Sequence, residues 1–442
     1  MTRPAARLGS TAAPEPPRGV RVVLDARPLQ EPERAPLTAG YLEALLGAYD
    51  ADPLAGESFA LLLRSDLDDP TTAFARLEVI GRRMLPPTHL LRSAALTIDP
   101  FVLSGASVGA AWKADASGAA GAVYHAAGGA IPLATGLPLV VTLLDLAPWE
   151  LPGAYQRSPA SRLGQRLRAR LLRDAAAVIV GSEAVAAAAR RLLRVRRERL
   201  RVVPFAARAA FSFWPSDGDA PSPGGGAARA ERERLGLPER YLVYSGRYDA
   251  RQDLATLLRA LEQLATAGRP EGLAAEVAWP PRVLLVGASP NDRASLARAA
   301  ARVDVGDALA YAPRLSDERL AALVRGARAA ILPALSDATG LPALEAIACG
   351  TPVAASAVGA LPEVVGAAGI LVPPREPDRL AAALATVWAE DPLHSRLAAA
   401  ARERAQTDRR TWAQVAAETR RVYAEVGIRR AREPEGDGAG GS

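Results

Sequence analysis

Short apolar runs alternate with segments of helical spacing along most of the chain. The first run is VRVVLD at residues 20–25, and later ones include LPLVVTLL, AAVIVGS and RLRVVPF. Between the runs, leucines recur at i, i+4 and i+8, as at Leu163, Leu167 and Leu171. Such runs predict buried strands, and the helical spacing predicts helices on the sheet faces. The pattern therefore predicts an α/β fold with parallel sheets.

The alternation is interrupted once, by a segment rich in Pro, Gly and charge at residues 207–238. It resumes with RYLVYSG, RVLLVGA, AAILPAL and TPVAAS. We predict two Rossmann-like, doubly wound domains, residues 20–206 and 239–410, which face each other across a cleft at the carboxyl ends of their strands. Residues 1–19 and 429–442 lack apolar periodicity, so we expect a disordered leader and a disordered tail there.

Composition narrows the classes of function. Lysine and arginine total 54 against 48 acidic residues, a net charge of +6 that favours anionic partners. No basic module with interleaved aromatic residues is present, so nucleic acid is not an expected partner. The single cysteine, Cys349, excludes an internal disulfide and fits a cytoplasmic location. No apolar run reaches the roughly 20 residues of a membrane span.

Several common chemistries lack their sequence motif. The chain has no GxGxxG after its first strand, no GxxxxGK[ST] and no GxSxG. The three histidines, His89, His125 and His394, stand far apart, and a metal site needs clustered ligands. The second half of the chain carries the remaining signals.

The stretch ILPALSDATGLPALEAIACG, residues 331–350, predicts a strand, a tight turn at Gly340 and a helix that starts near Leu341. The N–H groups at the start of that helix face the predicted cleft and suit a phosphate. Glu345 lies one turn into the helix, where it can accept hydrogen bonds from ligand hydroxyls, which favours a sugar nucleotide. The structural alternative is that Asp337 caps the helix and Glu345 is a solvated surface acid.

A second signal is YSGRYDARQDL, in which Gly246 and Arg247 follow a strand and Arg251 comes four residues later. Two guanidinium groups that enter the same cleft would balance the charge of a diphosphate. The structural alternative is a solvated turn.

On these stretches the chain resembles a family 4 glycosyltransferase, also called group 1, of the GT-B fold. GRYDARQDLATLLRAL, RVLLVGAS and the stretch from YAPRLSDERL to GILVPP carry the resemblance in the second half, and VVLDARPL, LPLVVTLLDLAPWELP, AAVIVGSEAV and LRVVPF carry it in the first. It implies transfer of a hexose-type sugar, with retention of configuration and without a metal ion or other cofactor. The donor would be a nucleotide sugar in the second domain, and the acceptor a glycan, a lipid or another polymer precursor in the first. It also implies a terminal helix at residues 411–428 that crosses back to the first domain.

The resemblance also implies roles for individual residues. Arg247 would stabilise the leaving diphosphate, Asp337 would orient sugar hydroxyls and Glu345 would hold the ribose. Gly287 and the loop that contains Arg314 would wall the nucleobase pocket. The donor-binding residues are Gly246, Arg251, Gln252, Gly287, Arg314, Gly340 and Leu341, and the acceptor-side residues are Gly40, His125 and Asp145.

Four positions depart from the family pattern. Gly40 alone remains of a Gly-rich turn, Leu144 replaces the histidine that precedes Asp145, Gln252 replaces a lysine, and Asp337 replaces a glutamate. The alternative function is therefore a catalytically impaired homologue that acts as a binding or scaffold partner of an active transferase.

Two features of the first half have alternative interpretations. His125 lies at a predicted strand end and either compensates for the lost histidine or is a satisfied structural residue. The helix at residues 161–173 either contacts an anionic membrane at the inner face or packs its leucines on the sheet. Its basic residues are Arg162, Arg166, Arg168, Arg170 and Arg173.

Overall fold

The computed structural model describes residues 19–85, 121–128, 131–132, 135–213, 226–407 and 409–432. They form two parallel sheets covered by helices, which confirms the predicted pair of doubly wound domains. Residues 1–18 of the predicted leader and 433–442 of the predicted tail lie outside the described residues.

Within the described ranges, the first sheet has seven strands in the order β3-β2-β1-β4-β5-β6-β7. β1 pairs in parallel with both β2 and β4, so the strand order reverses beside β1. The crevice at the carboxyl ends of β1 and β4 is where such a sheet binds ligands. The strands are β1 Arg21–Asp25, β2 Ser58–Arg64, β3 Val79–Leu85, β4 Ala122–Ala127, β5 Leu139–Thr142, β6 Ala177–Val180 and β7 Leu200–Val202.

The helices of the first half begin at recognisable signals. Ser158 forms a capping box with Ser161, which satisfies backbone groups at the start of α5. Pro36 starts α2, which runs to Ala51. The helices are α1 Arg27–Gln30, α2 Pro36–Ala51, α3 Ala147–Glu150, α4 Pro152–Tyr155, α5 Pro159–Asp174 and α6 Glu183–Ala188, with 3-10 turns at Pro70–Ala73 and Arg197–Arg199 and a π-helix at Ala189–Leu193.

The second sheet has six strands among the described residues, in the order β10-β9-β8-β11-β12-β13. Its strands are β8 Leu242–Ser245, β9 Val283–Val286, β10 Leu309–Ala312, β11 Ala329–Leu332, β12 Val353–Ser356 and β13 Gly369–Val372. The helices are α7 Gly226–Arg234, α8 Leu254–Ala267, α9 Pro290–Arg302, α10 Asp317–Gly326, α11 Leu341–Ala348, α12 Leu361–Val365, α13 Pro377–Ala389 and α14 Asp391–Thr407, with 3-10 turns at Gly306–Ala308 and Gly366–Ala368.

The central strands explain why the apolar runs are continuous rather than alternating. Every residue of β5, β6, β9, β11 and β12 is buried. A parallel sheet buries both faces, and each domain accordingly has one apolar cluster on each side of its sheet. None of the described helices is both long and apolar enough to cross a bilayer.

The terminal helix α15, Trp412–Arg432, returns to the first domain as predicted. Val415, Val422 and Tyr423 of this helix are buried in the same apolar cluster as α2 and β4. The chain therefore crosses between the domains twice. The two crossings lie side by side, since Nε of Arg410 donates a hydrogen bond of 2.5 Å to the carbonyl oxygen of Pro204.

The segment predicted to link the domains is partly ordered onto the second one. Phe211 is buried in an apolar cluster of the second domain. Helix α7 packs against α10, and its buried Glu231 accepts hydrogen bonds from Arg234 and Arg319. Residues 207–213 and α7 therefore pack with the second domain.

Candidate active site at the interdomain cleft

The turn that precedes α11 is built around the carboxylate of Asp337. Its Oδ1 accepts hydrogen bonds from the backbone N–H groups of Thr339, at 2.9 Å, and Gly340, at 2.7 Å. Burial raises the pKa of Asp337, and these hydrogen bonds oppose that rise. Asp337 therefore caps the turn, as the structural alternative proposed, while Oδ2 has no hydrogen-bond partner in the described part of the chain.

Gly340 has a left-handed backbone, with φ of +63°. A Cβ atom at this position would lie 2.7 Å from Cγ2 of Val364, so a larger residue meets both strain and a clash. Leu341, the first residue of α11, packs against the apolar core of the first domain. The start of α11 therefore sits at the seam between the domains, as the sequence predicted.

Glu345 is 7% exposed, so the alternative of a solvated surface acid is wrong. Arg208 binds both of its oxygens, with Nε at 2.6 Å from Oε1 and Nη2 at 3.0 Å from Oε2. The same guanidinium donates to Asp317 through Nη1. Burial raises the pKa of Glu345, and the hydrogen bonds and charge of Arg208 oppose that rise. A carboxylate oxygen has two lone pairs, so Glu345 retains acceptor capacity for hydroxyls.

Arg208 is a site residue that sequence reasoning missed. It lies in the segment assigned to the linker, 137 residues before Glu345. The local sequence PFAARAAF contains no acid that would signal its partner. The pairing is visible only when residues 207–213 fold onto the second domain.

Arg247 and Arg251 meet around one acid of their own turn, Asp249. Arg247 donates to Asp249 Oδ2 at 3.0 Å, and its side chain is 37% exposed. Arg251 donates to both oxygens of Asp249 and is 12% exposed. Burial alone would raise the pKa of Asp249, but the hydrogen bonds and charge of Arg251 outweigh it and hold the pKa at about 2. The two predicted cations therefore share one fixed anion, and Arg247 is the more accessible of them.

Polar contacts join the two domains across the cleft. Nη1 of Arg251 donates to Asp145, which follows β5 of the first sheet, at 2.8 Å. The hydroxyl of Tyr155 donates to Asp249 at 3.3 Å, and that of Ser336 donates to Glu150. The predicted donor-side Arg251 and acceptor-side Asp145 are thus in direct contact, which brings the two halves of the predicted site together.

The remaining donor-side residues lie near the carboxyl ends of strands of the second sheet. Gln252 forms a single backbone bridge with Ala334, and its side-chain Oε1 is buried without a hydrogen-bond partner. Gly287 directly follows β9, has φ of +79° and is exposed. Arg314 is exposed and forms no ion pair with any described residue. Gly246 precedes Arg247 and is exposed.

His125 is not an acceptor-side residue, because it is fully buried inside β4 rather than at a strand end. Its ring hydrogen-bonds Thr142 at 2.8 Å and Tyr423 of the returning helix at 2.7 Å. Burial lowers the pKa of His125 to about 3, so the ring stays neutral. The structural alternative is therefore the correct one.

Gly40 and Leu144 also do not lie where the family pattern would place acceptor-side groups. Gly40 lies within helix α2 and does not form a Gly-rich turn after β1. Leu144 is 2% exposed and fills the core of the first domain beside Gly128. The side chain that replaces the expected histidine therefore packs internally.

Helix α5 buries a different face from the one predicted. Leu163 is 55% exposed, so the helix does not pack through the row of Leu163, Leu167 and Leu171. Its buried face combines Leu172 with small and polar side chains, and Arg168 is buried among them at 8% exposure. The buried residues are Ser161, Gly164, Gln165, Arg168 and Leu172.

Comparison with known proteins agrees with this architecture. Residues 18–206 match the model "Glycosyl transferase 4-like domain", and residues 228–404 match "Glycosyl transferases group 1". The D-inositol 3-phosphate glycosyltransferase of Streptomyces griseus is 38% identical over 213 residues, which cover 47% of this chain and 43% of the relative. The chain spans about half the length of the curated relatives it matches.

Solved structures show the same fold over nearly the whole chain. Sucrose-phosphate synthase from Thermosynechococcus elongatus superposes with a TM-score of 0.63 at 22% identity, over 92% of this chain and 98% of that one. Anabaena HepE, solved in complex with UDP-glucose, superposes with a TM-score of 0.63 at 17% identity, over 92% and 99%. Together with the two family models, these matches show that the chain belongs to the group 1, or family 4, glycosyltransferases of the GT-B fold.

Proposed function

We propose that this glycosyltransferase moves a hexose-type sugar, with retention of configuration, from a nucleotide-sugar donor to a glycan, lipid or other polymer-precursor acceptor. One observation carries the proposal: Arg247, Arg251 and the start of α11 converge on the seam between the carboxyl ends of the two sheets. Arg247, whose side chain is 37% exposed, and the N–H groups at the start of α11 can donate hydrogen bonds to a diphosphate there. The binding of UDP-glucose by Anabaena HepE, of the same fold, supports this donor class.

The roles of the residues follow from their positions. Arg247 and the N-terminus of α11 would stabilise the negative charge that develops on the leaving diphosphate. Oδ2 of Asp337 would accept from a sugar hydroxyl, since Oδ1 is committed to the turn. Glu345 would accept from the ribose through its remaining lone pairs. Gly287 and the loop at Pro313–Leu315 would border the nucleobase.

We expect neither a metal ion nor another cofactor to be required, because the arginines and the helix N-terminus supply the countercharge. We also expect donor entry to separate Arg251 from Asp145, since their ion pair closes the seam. The acceptor would then bind against the first domain, on the Asp145 side.

Calorimetric titration with UDP-glucose tests the donor site. Arg247→Ala and Glu345→Ala should each abolish detectable binding, because each removes a charged partner of the donor. Arg259→Ala is the matched control, since Arg259 is exposed on α8 outside the cleft. Wild-type affinity in both site variants, for every nucleotide sugar that the wild type binds, would sink the proposal.

The second candidate is a catalytically impaired homologue that binds an active transferase. The burial of Leu144 in the core favours it, because no imidazole at that position reaches the sugar. Release of UDP from UDP-glucose, measured with purified protein and candidate acceptors, separates the two candidates. Donor binding without any hydrolysis or transfer would select the impaired homologue.

We further propose a cytoplasmic location with peripheral contact at an anionic membrane through the exposed side of α5. Leu163 lies there among Arg162, Arg166 and Arg170, which are also exposed. An apolar side chain within a basic surface suits an anionic bilayer. Flotation with vesicles that contain phosphatidylglycerol should exceed flotation with phosphatidylcholine alone, and equal recovery would refute the contact.

A further inference from the structure

Helix α5 carries an arginine that is buried without an acidic partner. Arg168 is 8% exposed, and no carboxylate of the described residues lies within ion-pair distance of it. Its Nη2 donates a long hydrogen bond of 3.4 Å to the carbonyl oxygen of Gly128, and its Nε is buried without a partner. A buried guanidinium that lacks a counter-ion is costly, and most buried charges in proteins are paired.

The acidic residue near Arg168 does not neutralise its charge. Asp145 acts on Arg168 electrostatically, but its carboxylate is committed to Arg251 by the 2.8 Å ion pair. Burial lowers the pKa of Arg168, and the charge of Asp145 only partly offsets this. An arginine remains protonated at neutral pH even so, and the site therefore holds an excess positive charge.

A second orphaned polar group lies beside the arginine. Gln165 is also 8% exposed, and its Oε1 is buried without a hydrogen-bond partner. It precedes Arg168 by three residues, so the two side chains share one face of α5. The guanidinium offers donors to an anion, and Oε1 offers an acceptor to a hydroxyl.

The position of these groups matches a ligand site in this type of sheet. Gly128 directly follows β4, and Trp149, whose ring lies 5.5 Å below the Arg168 guanidinium, follows β5 by a few residues. Both belong to the carboxyl edge of the first sheet, close to where the strand order reverses. The flat indole also holds the guanidinium plane in place through a cation–π contact.

We propose that Arg168 and Gln165 form a site for an oxyanion on the acceptor, so that the acceptor is a hydroxylated phosphate ester or carboxylate. The planar fork of Arg168 binds the anion, and Oε1 of Gln165 accepts from an adjacent hydroxyl. The assignment of the anion to an acceptor rests on the proposed transferase function. The anion site itself does not, and it is tested separately.

Binding of inorganic phosphate to the protein saturated with UDP tests the site, because UDP occupies the diphosphate position near Arg247. We expect phosphate to raise the melting temperature of the wild type, and Arg168→Gln to weaken phosphate binding at least tenfold. The matched control is Arg197→Gln, which removes one exposed charge of the same domain and should change binding less than twofold. No phosphate effect on the wild type, or equal binding by Arg168→Gln, overturns the inference.

Arg168→Met gives an independent readout of the unpaired charge. Without phosphate its melting temperature should equal or exceed that of the wild type, because the substitution removes an uncompensated buried cation. In the presence of phosphate, the wild type should have the higher melting temperature. A large loss of stability without phosphate would show that Arg168 is a structural residue and would overturn the inference.

Two further ligands identify the anion and the role of the glutamine. Glucose 6-phosphate and glucuronate distinguish a phosphate ester from a carboxylate, and Gln165→Leu should weaken either one more than inorganic phosphate. If the protein fails to bind UDP, the proposed transferase function fails, whereas the comparison of wild type with Arg168→Gln still decides the anion site. Retained UDP binding with no effect of Arg168 on any anion refutes the site alone.

Discussion

Arg208→Gln is the most informative substitution for the fold around the donor site. It leaves the Glu345 carboxylate in place, with a side chain only 9% exposed, and removes the group that binds both of its oxygens. Breaking a buried ion pair from one side costs about 3–5 kcal/mol. Because the Arg208 side chain is itself 34% exposed, we expect a loss near the lower end of that range. Coulomb's law at an effective dielectric of 20 and a 4 Å separation gives a similar figure, about 4 kcal/mol.

The loss should depend on pH in a defined direction. Burial raises the native pKa of Glu345 above its ordinary value of 4.5, so the native state keeps a proton that the unfolded state releases. Stability therefore falls as pH rises from 4.5 through the native pKa. Arg208→Gln removes the hydrogen bonds and the positive charge that keep the pKa of Glu345 from rising further. The fall in stability should therefore extend to higher pH in this variant than in the wild type.

Urea unfolding of five proteins between pH 4 and 8 measures both effects: the wild type, Arg208→Gln, Asp317→Asn, Glu345→Gln and the Arg208→Gln/Glu345→Gln double variant. Asp317→Asn is the matched control, because Asp317 is the other ionic partner of Arg208. The side chain of Asp317 is 40% exposed, so this substitution should lower the free energy of unfolding by at most about 1 kcal/mol. In the Glu345→Gln background, Arg208→Gln should cost much less, since no buried charge remains. Equal losses in Arg208→Gln and Asp317→Asn, or an undiminished loss in the Glu345→Gln background, would refute the reasoning.

Three further outcomes are expected. Wild-type stability should fall as pH drops from 6.5 towards 3, because the unfolded state protonates His125 and the native state, with its pKa of about 3, does not. His125→Gln should remove that part of the acid sensitivity and cost about 1–3 kcal/mol at pH 7, whereas an unchanged pH profile in urea unfolding would contradict the burial argument. Gln252→Lys should tighten UDP binding several-fold in calorimetry, while Gln263→Lys on the exposed side of α8 should not; equal effects would show that only net charge matters. Arg251→Gln should widen the interdomain distance seen by small-angle scattering, because it frees Asp145, and an unchanged radius would count against that ion pair as a closing contact.

The pattern of apolar and polar residues was sufficient to predict the architecture of the two domains. Continuous apolar runs predicted strands buried on both faces, and the Gly-Leu-Pro turn predicted where α11 starts. These features depend on residues close together in the chain. Local sequence could therefore predict them.

The sequence could not predict contacts between residues that are far apart along the chain. Arg208 meets Glu345 only through the fold, and His125 meets Tyr423 only because the terminal helix returns to the first sheet.

Helix α5 shows how periodicity can point to the wrong face. Leu163, Leu167 and Leu171 repeat at helical spacing, yet the leucine that the helix buries completely is Leu172. Its buried face otherwise consists of small and polar side chains, which a search for large apolar residues at helical spacing does not reveal. Arg168 lies on this same buried face.

The adjacent chain crossings at Pro204 and Arg410 define how the cleft can open. We expect the two covalent connections, which this hydrogen bond holds together, to act as a hinge that permits rotation of the domains and resists sliding. Displacement then grows with distance from the pin. Contacts far from it, such as the one between Asp145 and Arg251, would part by much more than the crossings themselves. Residues 207–213 pack on the second domain, so Arg208 would rotate with Glu345 as one body, and the donor side would keep its shape while the acceptor side moves away.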